Sequence, residues 1–168
     1  MESLDIQISI EAADEFNIQR IAQMTQKTNQ FNLTTHRYTD ADVRGFVECG
    51  WKIWCLSVAD KFGDNGITGA IMVTPSGEID TFLLSCRILG KGIEIAFMKK
   101  VMYLLAVSGI EVLTARYIPT AKNAHVKDFY EKCGFVCVSE NEDGCKDYSL
   151  SLVATDFSIK DYYNITIK

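Results

Sequence analysis

No two cysteines in this chain are spaced Cys-x-x-Cys, and only two histidines, His36 and His125, accompany the six cysteines. Cys133 and Cys137 flank a Gly-Phe pair, but no second close pair completes a four-ligand zinc set. The expectation is therefore reduced structural thiols and no metal. Basic residues are in deficit: 17 Lys and Arg against 22 Asp and Glu leave a net charge of −5. With no Lys/Arg cluster to overrule that balance, nucleic acid is not an expected partner. Apolar runs of membrane-spanning length are also lacking, since the stretch from Ile93 to Val107 is interrupted by Glu94, Lys99 and Lys100. The opening MESLDIQISI lacks the basic-then-apolar layout of a signal peptide, so the expected location is cytoplasmic, away from membranes. Prolines number two, Pro75 and Pro119, and each falls where a strand should stop.

What is present suits one soluble domain: 168 residues, 48% apolar and 23% charged. Leu4 to Ile10 alternates apolar and polar as a half-buried strand does. Asp14 is placed to cap a helix from Glu15 to about Thr28, with Phe16, Ile18, Ile21, Ala22 and Met24 as its apolar stripe. Thr28 to Asp40 is rich in amides and hydroxyls, which fits either well-satisfied turns or the wall of a ligand site. Thr39 and Asp42 approximate a capping box for a short helix through Val47. Trp51–Val58, Ile67–Thr74 and Ile79–Cys86 read as an antiparallel meander turned at ADKFGDNG and Pro75-Ser76-Gly77. A long helix follows to Ser108, then a strand from Glu111 to Ile118, a helix from Asn123 to Lys132, and a hairpin of Phe135–Ser139 with Tyr148–Val153. The stretch from Ala154 onward has alternating apolar residues but weak boundaries.

Between the Ile79–Cys86 strand and the long helix lies Arg87-Ile88-Leu89-Gly90-Lys91-Gly92. Free backbone N–H groups, a helix N-terminus and Lys91 converge there, an arrangement suited to phosphate. A Walker loop would need Lys-Ser/Thr after its second glycine, and a dinucleotide loop a third glycine where Ile95 stands; neither pattern fits. Arg87-x-x-Gly90-x-Gly92 instead resembles the pyrophosphate loop of the GNAT superfamily of N-acetyltransferases. The order strand, helix, helix, three strands, helix, strand, helix, two strands is similar to that family's over nearly the whole chain. So is Asn123-x5-Phe129-Tyr130-x3-Gly134-Phe135. The resemblance implies an α+β GNAT fold: a mixed sheet of about seven strands flanked by about four helices, the fourth and fifth strands splayed.

It also implies a chemistry. Leu83, Leu84 and Ser85 would offer an unpaired strand edge to the pantetheine arm of acetyl-CoA or another acyl-CoA or phosphopantetheine thioester. Arg87, Leu89, Gly90, Lys91, Gly92 and Ile93 would hold the pyrophosphate. Tyr130 matches the general acid that protonates the departing thiolate, and Asn123 would share its helical face; core packing is the other reading of Tyr130. Asp80 stands on the Ile79–Cys86 strand as either the general base or a structural ion-pair member, and period-two alternation puts it with Phe82 and Leu84. Cys86, just before the loop, is either a nucleophile that carries an acyl group or a small core thiol.

Three runs, Arg20–Thr39, Ile79–Glu94 and Asn123–Phe135, resemble more closely the C-terminal domain of FkbH-type proteins. That family joins a dehalogenase-like domain to a GNAT-like one and loads glyceryl units onto an acyl carrier protein in methoxymalonyl biosynthesis for polyketides. The resemblance implies an acyl carrier protein, or a separate dehalogenase-like phosphatase, as partner. The only Asp-x-Asp, Asp40-Ala41-Asp42, opens a helix and does not follow a buried strand, so phosphate removal is not expected of this chain. Under the same resemblance His36 and the Asn29–Tyr38 loop sit near the acceptor side. Three functions remain open: acyl transfer to a small-molecule acceptor, transfer through Cys86 to or from a carrier protein, or a non-catalytic docking module.

Overall fold

The computed structural model describes residues 7–60, 63–85, 92–153 and 164–167. The strands are β1 (Gln7–Ala12), β2 (Phe31–Asn32), β3 (Lys52–Asp60), β4 (Gly63–Val73), β5 (Glu78–Leu84), β6 (Val112–Tyr117), β7 (Val136–Glu140), β8 (Lys146–Ser151) and β9 (Asn164–Ile167). The helices are α1 (Ile18–Lys27), α2 (Asp40–Glu48), α3 (Ile93–Val107) and the single turn α4 (Phe129–Lys132). The nine strands among the described residues form one sheet in the order β7-β8-β6-β5-β4-β3-β1-β9, with β2 paired to β5 off that path. The expected mixed α+β architecture is there. β2 and β9 are the additions to it.

The sheet has two apolar faces, and each takes its own helices. Ile18, Ile21, Ala22 and Met24 of α1 and Val43 of α2 pack on Ile53, Cys55, Ala70, Met72 and Leu83. The other face, with Leu56, Val58, Ile71, Phe82 and Leu84, takes Phe97, Val101 and Leu105 of α3 and Phe129 and Tyr130 of α4. α3 is apolar around much of its circumference because it lies flat over the sheet centre; Ile93, Phe97, Met98 and Val101 are all fully buried.

Local chemistry explains where boundaries shift from those expected. Asp14 does not cap α1. Its carboxylate accepts from the N–H groups of Phe16 and Asn17, which folds a turn ahead of the helix, so α1 starts at Ile18 and Phe16 is left 97% exposed. The capping box on α2 forms in full: Thr39 accepts from Asp42 N–H and Asp42 from Thr39 N–H. The continuous helix expected from Asn123 to Lys132 is broken into a 3-10 turn over Ala124–Val126 and the short α4.

The parallel pair β5–β6 forms a fork. The strands pair only at Glu78↔Thr114 and Ile79↔Ala115 and then part, which is the splay expected of the fourth and fifth strands. A bulge marks the fork's base: Met72 pairs Thr81 and Val73 pairs Ile79, leaving Asp80 as the extra residue. Alternation is interrupted there, so Ile79, Phe82 and Leu84 all join the α3-side core. Asp80 is consequently not on the face of Phe82 and Leu84, as strict period two had suggested. It is turned toward the loop that follows α1.

Candidate active-site cleft

That loop fills the fork. From Phe31 the chain runs antiparallel to β5, with Phe31↔Leu84 and Asn32↔Leu83, and Leu33 N–H donates to Phe82 C=O at 3.3 Å. On the other side Leu33 C=O accepts from Ile118 N–H at 2.8 Å. Phe31 drives a ring edge-on into Phe129 at 5.0 Å, and Leu33 is fully buried. The wedge has a physical consequence. β4 holds one edge of β5 at Gly69↔Leu84 and Ala70↔Leu83, and β2 holds the other. The unpaired edge expected at Leu83 and Leu84 is therefore occupied in this chain.

Asn123 locks the wedge. Its Oδ1 accepts from Thr120 N–H at 2.8 Å and from the Tyr117 hydroxyl at 3.1 Å, and its Nδ2 donates to Asn32 C=O at 2.9 Å and Ile118 C=O at 3.0 Å. Two donors and two acceptor sites are all an amide side chain has. Asn123, fully buried, is thus spent on the protein, and with the helix broken after it, it shares no helical face with Tyr130.

Tyr130 is 1% exposed, ringed by Phe129, Phe135 and Tyr148 at centroid distances of 5.6, 5.1 and 5.4 Å. Its hydroxyl has no hydrogen-bond partner among the described residues, and burial pushes its pKa well above the ordinary 10.0. The phenol is therefore protonated, as a general acid must be, but it is sealed inside the core.

At the fork's base the Asp80 carboxylate accepts from Tyr38 hydroxyl at 2.7 Å and Thr81 hydroxyl at 2.8 Å, and its Oδ2 lies 3.3 Å from His36 Nδ1. Burial alone would raise the Asp80 carboxyl; the hydrogen bonds from His36, Tyr38 and Thr81 outweigh it and hold the group below its ordinary 3.8. The same bond to Asp80 raises His36 above 6.5 against the effect of burial. Thr34 adds a hydroxyl bond to the Asp80 carbonyl at 2.8 Å. Asp80 is thus a paired, hydrogen-bonded carboxylate. The sequence had left that reading open beside the general base.

The cleft opens at the far, carboxyl end of β5. There a cavity of about 630 Å³ is lined by Leu84 and Ser85, by Phe31, by Arg20 and Lys27 of α1, and by Lys122 beyond β6, a volume in the range of small-molecule sites. Ser85 N–H still closes the ladder onto Thr68 C=O. The chain returns at Gly92, which caps α3 with φ +76, a left-handed conformation in which L side chains are strained. Ile93 is the first residue of α3 and points into the core. Cys86, Arg87, Leu89, Gly90 and Lys91 lie outside the described residues. Sequence reasoning missed Arg20, Lys27 and Lys122; the signal for the first two was their seven-residue spacing, two turns along one side of α1.

No protein-family model matches the sequence, and no curated protein sequence matches it. Solved structures do. A protein from Desulfovibrio desulfuricans assigned to the GNAT family of acetyltransferases superimposes with a TM-score of 0.64 at 16% identity, over 86% of this chain and 99% of that one. A domain from Methanocaldococcus jannaschii gives 0.65 at 15% identity, over 87% and 99%. Spermidine N-acetyltransferase from Vibrio cholerae, solved with CoA and spermine, gives 0.62 at 10% identity, over 88% and 96%. The chain shares its fold, over most of its length, with acetyltransferases of the GNAT type.

Proposed function

We propose that this chain is an acyltransferase that takes an acyl group from a pantetheine thioester, on coenzyme A or an acyl carrier protein, and passes it to a small acceptor. The observation that carries the reading is the coincidence of Ser85, the expected donor-edge residue to which β2 does not pair, with the 630 Å³ cavity at the open end of the fork. The donor thioester would sit at that mouth. Displacing the wedge to reach deeper would expose Phe31 and Leu33 at about 1.5–3 kcal/mol each and unseat Asn123. Micromolar donor binding supplies only about 8 kcal/mol in total. Backbone groups beyond Ser85, the loop to Gly92 and the α3 N-terminus would hold the phosphates. In the transfer, the acceptor nucleophile forms its bond to the acyl carbon, the C–S bond breaks, and the departing thiolate takes up the proton that the nucleophile loses.

A second reading gains from the same geometry. Cys86 follows Ser85, a lining residue, directly in the chain, while neither Tyr130 nor Asp80 lines the cavity. This favours a relay in which the acyl group rests on Cys86 before transfer.

Acetyl-CoA is expected to raise the melting temperature, and Gly92→Asp, which puts a strained, negatively charged residue at the α3 cap, to abolish the rise without lowering the unliganded melting temperature by the same amount. No rise with acetyl-CoA or with any acyl carrier protein thioester would sink the proposal. Intact mass after incubation with either donor reads the relay: an acyl adduct lost in Cys86→Ala supports it, and an unmodified protein removes it.

A further inference from the structure

The cavity's lining carries a charge signature that the donor reading does not use. Arg20, Lys27 and Lys122 all face it, and no Asp or Glu is among the described residues that line it. In a chain of net charge −5, three cations and no carboxylate among the described lining residues is a local inversion of sign. None of the three belongs to an ion pair among the described residues. One guanidinium nitrogen of Arg20 donates to Gln23 at 2.9 Å, which steadies the group and leaves its remaining donors available. The neighbouring Arg37 is already committed: its guanidinium donates to the carbonyls of Thr25 and Thr28 and to the Asn29 side chain. Its donors hold the cavity rim in shape.

We infer that this cavity binds the acyl acceptor, and that the acceptor is a small anion bearing a carboxylate or a phosphate. The assignment to the acceptor, which rests on the acyltransferase reading, follows from the layers of the fold. α1 lies on the Leu83 face of the sheet and α3 on the Phe82 face. Phosphates of the donor, gathered at the α3 N-terminus, belong to the second face; Arg20 and Lys27 belong to the first. Between the two faces Ser85 opens onto the cavity, so an acceptor anchored by its anionic end on α1 and Lys122 has its nucleophile directed to the mouth of the fork. Fixed cations attract such a molecule and repel a polycation. The preference is therefore opposite to that of the spermine-bound Vibrio cholerae structure with the same fold.

The test uses the full chain, with O-phosphoserine as the anionic probe and spermidine as the cationic one. Isothermal titration of the wild type should show O-phosphoserine binding that weakens as salt rises, and no spermidine binding. The double variant Lys27→Gln/Lys122→Gln should bind O-phosphoserine at least about tenfold more weakly, with circular dichroism confirming its fold. Equal O-phosphoserine affinity in wild type and variant, or spermidine as the tighter ligand, overturns the inference. Acetyl-CoA is titrated in parallel. If the variant loses acetyl-CoA binding to the same degree, the cavity holds donor phosphates and the acceptor assignment is overturned. If O-phosphoserine binds through Lys27 and Lys122 but acetyl-CoA never binds the wild type, the anion site stands and the acyltransferase reading alone fails.

Discussion

Three hydrogen-bonding groups converge on one oxygen of Asp80, and their pKa directions set how the chain responds to pH. A carboxyl held below 3.8 contributes stability that is present above that pH and lost as acid takes it through its folded value. His36, raised above 6.5, works in the opposite sense: its contribution is complete below 6.5 and fades as pH rises through the raised folded value. The urea midpoint should therefore be highest between these limits and decline on both sides. His36→Gln should flatten the alkaline decline alone, by less than about 1 kcal/mol, because the His36 side chain is 40% exposed. Asp80→Asn should remove both slopes and cost about 2 kcal/mol, since a charged acceptor of two part-buried hydroxyl donors is replaced by a neutral one. Urea titrations from pH 3 to 9 check both variants against the wild type; a His36→Gln protein with the wild-type alkaline slope would show that the pair is not coupled.

The wedge formed by residues 31–33 is a fold element with almost no local means of support, and Asn123 supplies the missing part. Two ladder residues cannot hold a strand in water; this one persists because Phe31 and Leu33 are buried and because Asn32 C=O has a donor in Asn123. Asn123→Ala removes both hydrogen bonds from Nδ2 and both to Oδ1, leaving buried carbonyls and an N–H without partners. A loss of about 2–4 kcal/mol follows, and amide exchange at Leu33 and Ile118 should accelerate more than exchange at Ile71 or Met72 in the sheet centre. Uniform acceleration across the sheet would mean that Asn123 acts on global stability and not on the wedge. The same element shows why the sequence misled on the donor edge. Thr28 to Asp40 displayed its hydrogen-bonding capacity plainly, but a two-residue strand has no periodicity to detect, and its partner Leu84 lies more than fifty positions away. The Asp80 bulge is similar: alternation along one strand carries no record of an extra residue opposite the next. The helix break at Asn123 was equally silent, because Asn123 serves Thr120, Tyr117 and Asn32, and two of these lie outside its own segment.

At the scale of the whole molecule, the order of elements and the glycine loop were enough to anticipate the fold, because helices and strands of that length write their own periodicity. The chain's end was not legible for the converse reason. β9 is four residues long and pairs parallel to β1 through Gln7↔Asn164, Ile8↔Ile165, Ser9↔Thr166 and Ile10↔Ile167, a non-local contact with no turn to announce it. Its position has a cost and a use. Without β9, β1 would be the sheet's outer strand, carrying Ile8 and Ile10, which are 1% and 0% exposed, beside a row of open backbone groups; such edges recruit other chains. A version ending at Val153 should keep the two helix-covered faces and the β5–β6 fork intact, since neither contacts β9 through any ladder. It should lose the four-residue pairing, melt at a lower temperature, and self-associate with rising concentration. Light scattering coupled to size exclusion reads the association. Adding Lys at Ser9, on the same edge, should restore the monomer without restoring the melting temperature, because charge blocks edge pairing but supplies no ladder. A truncated chain that stays monomeric at all concentrations would show that β1 needs no cover, and that β9 serves stability only.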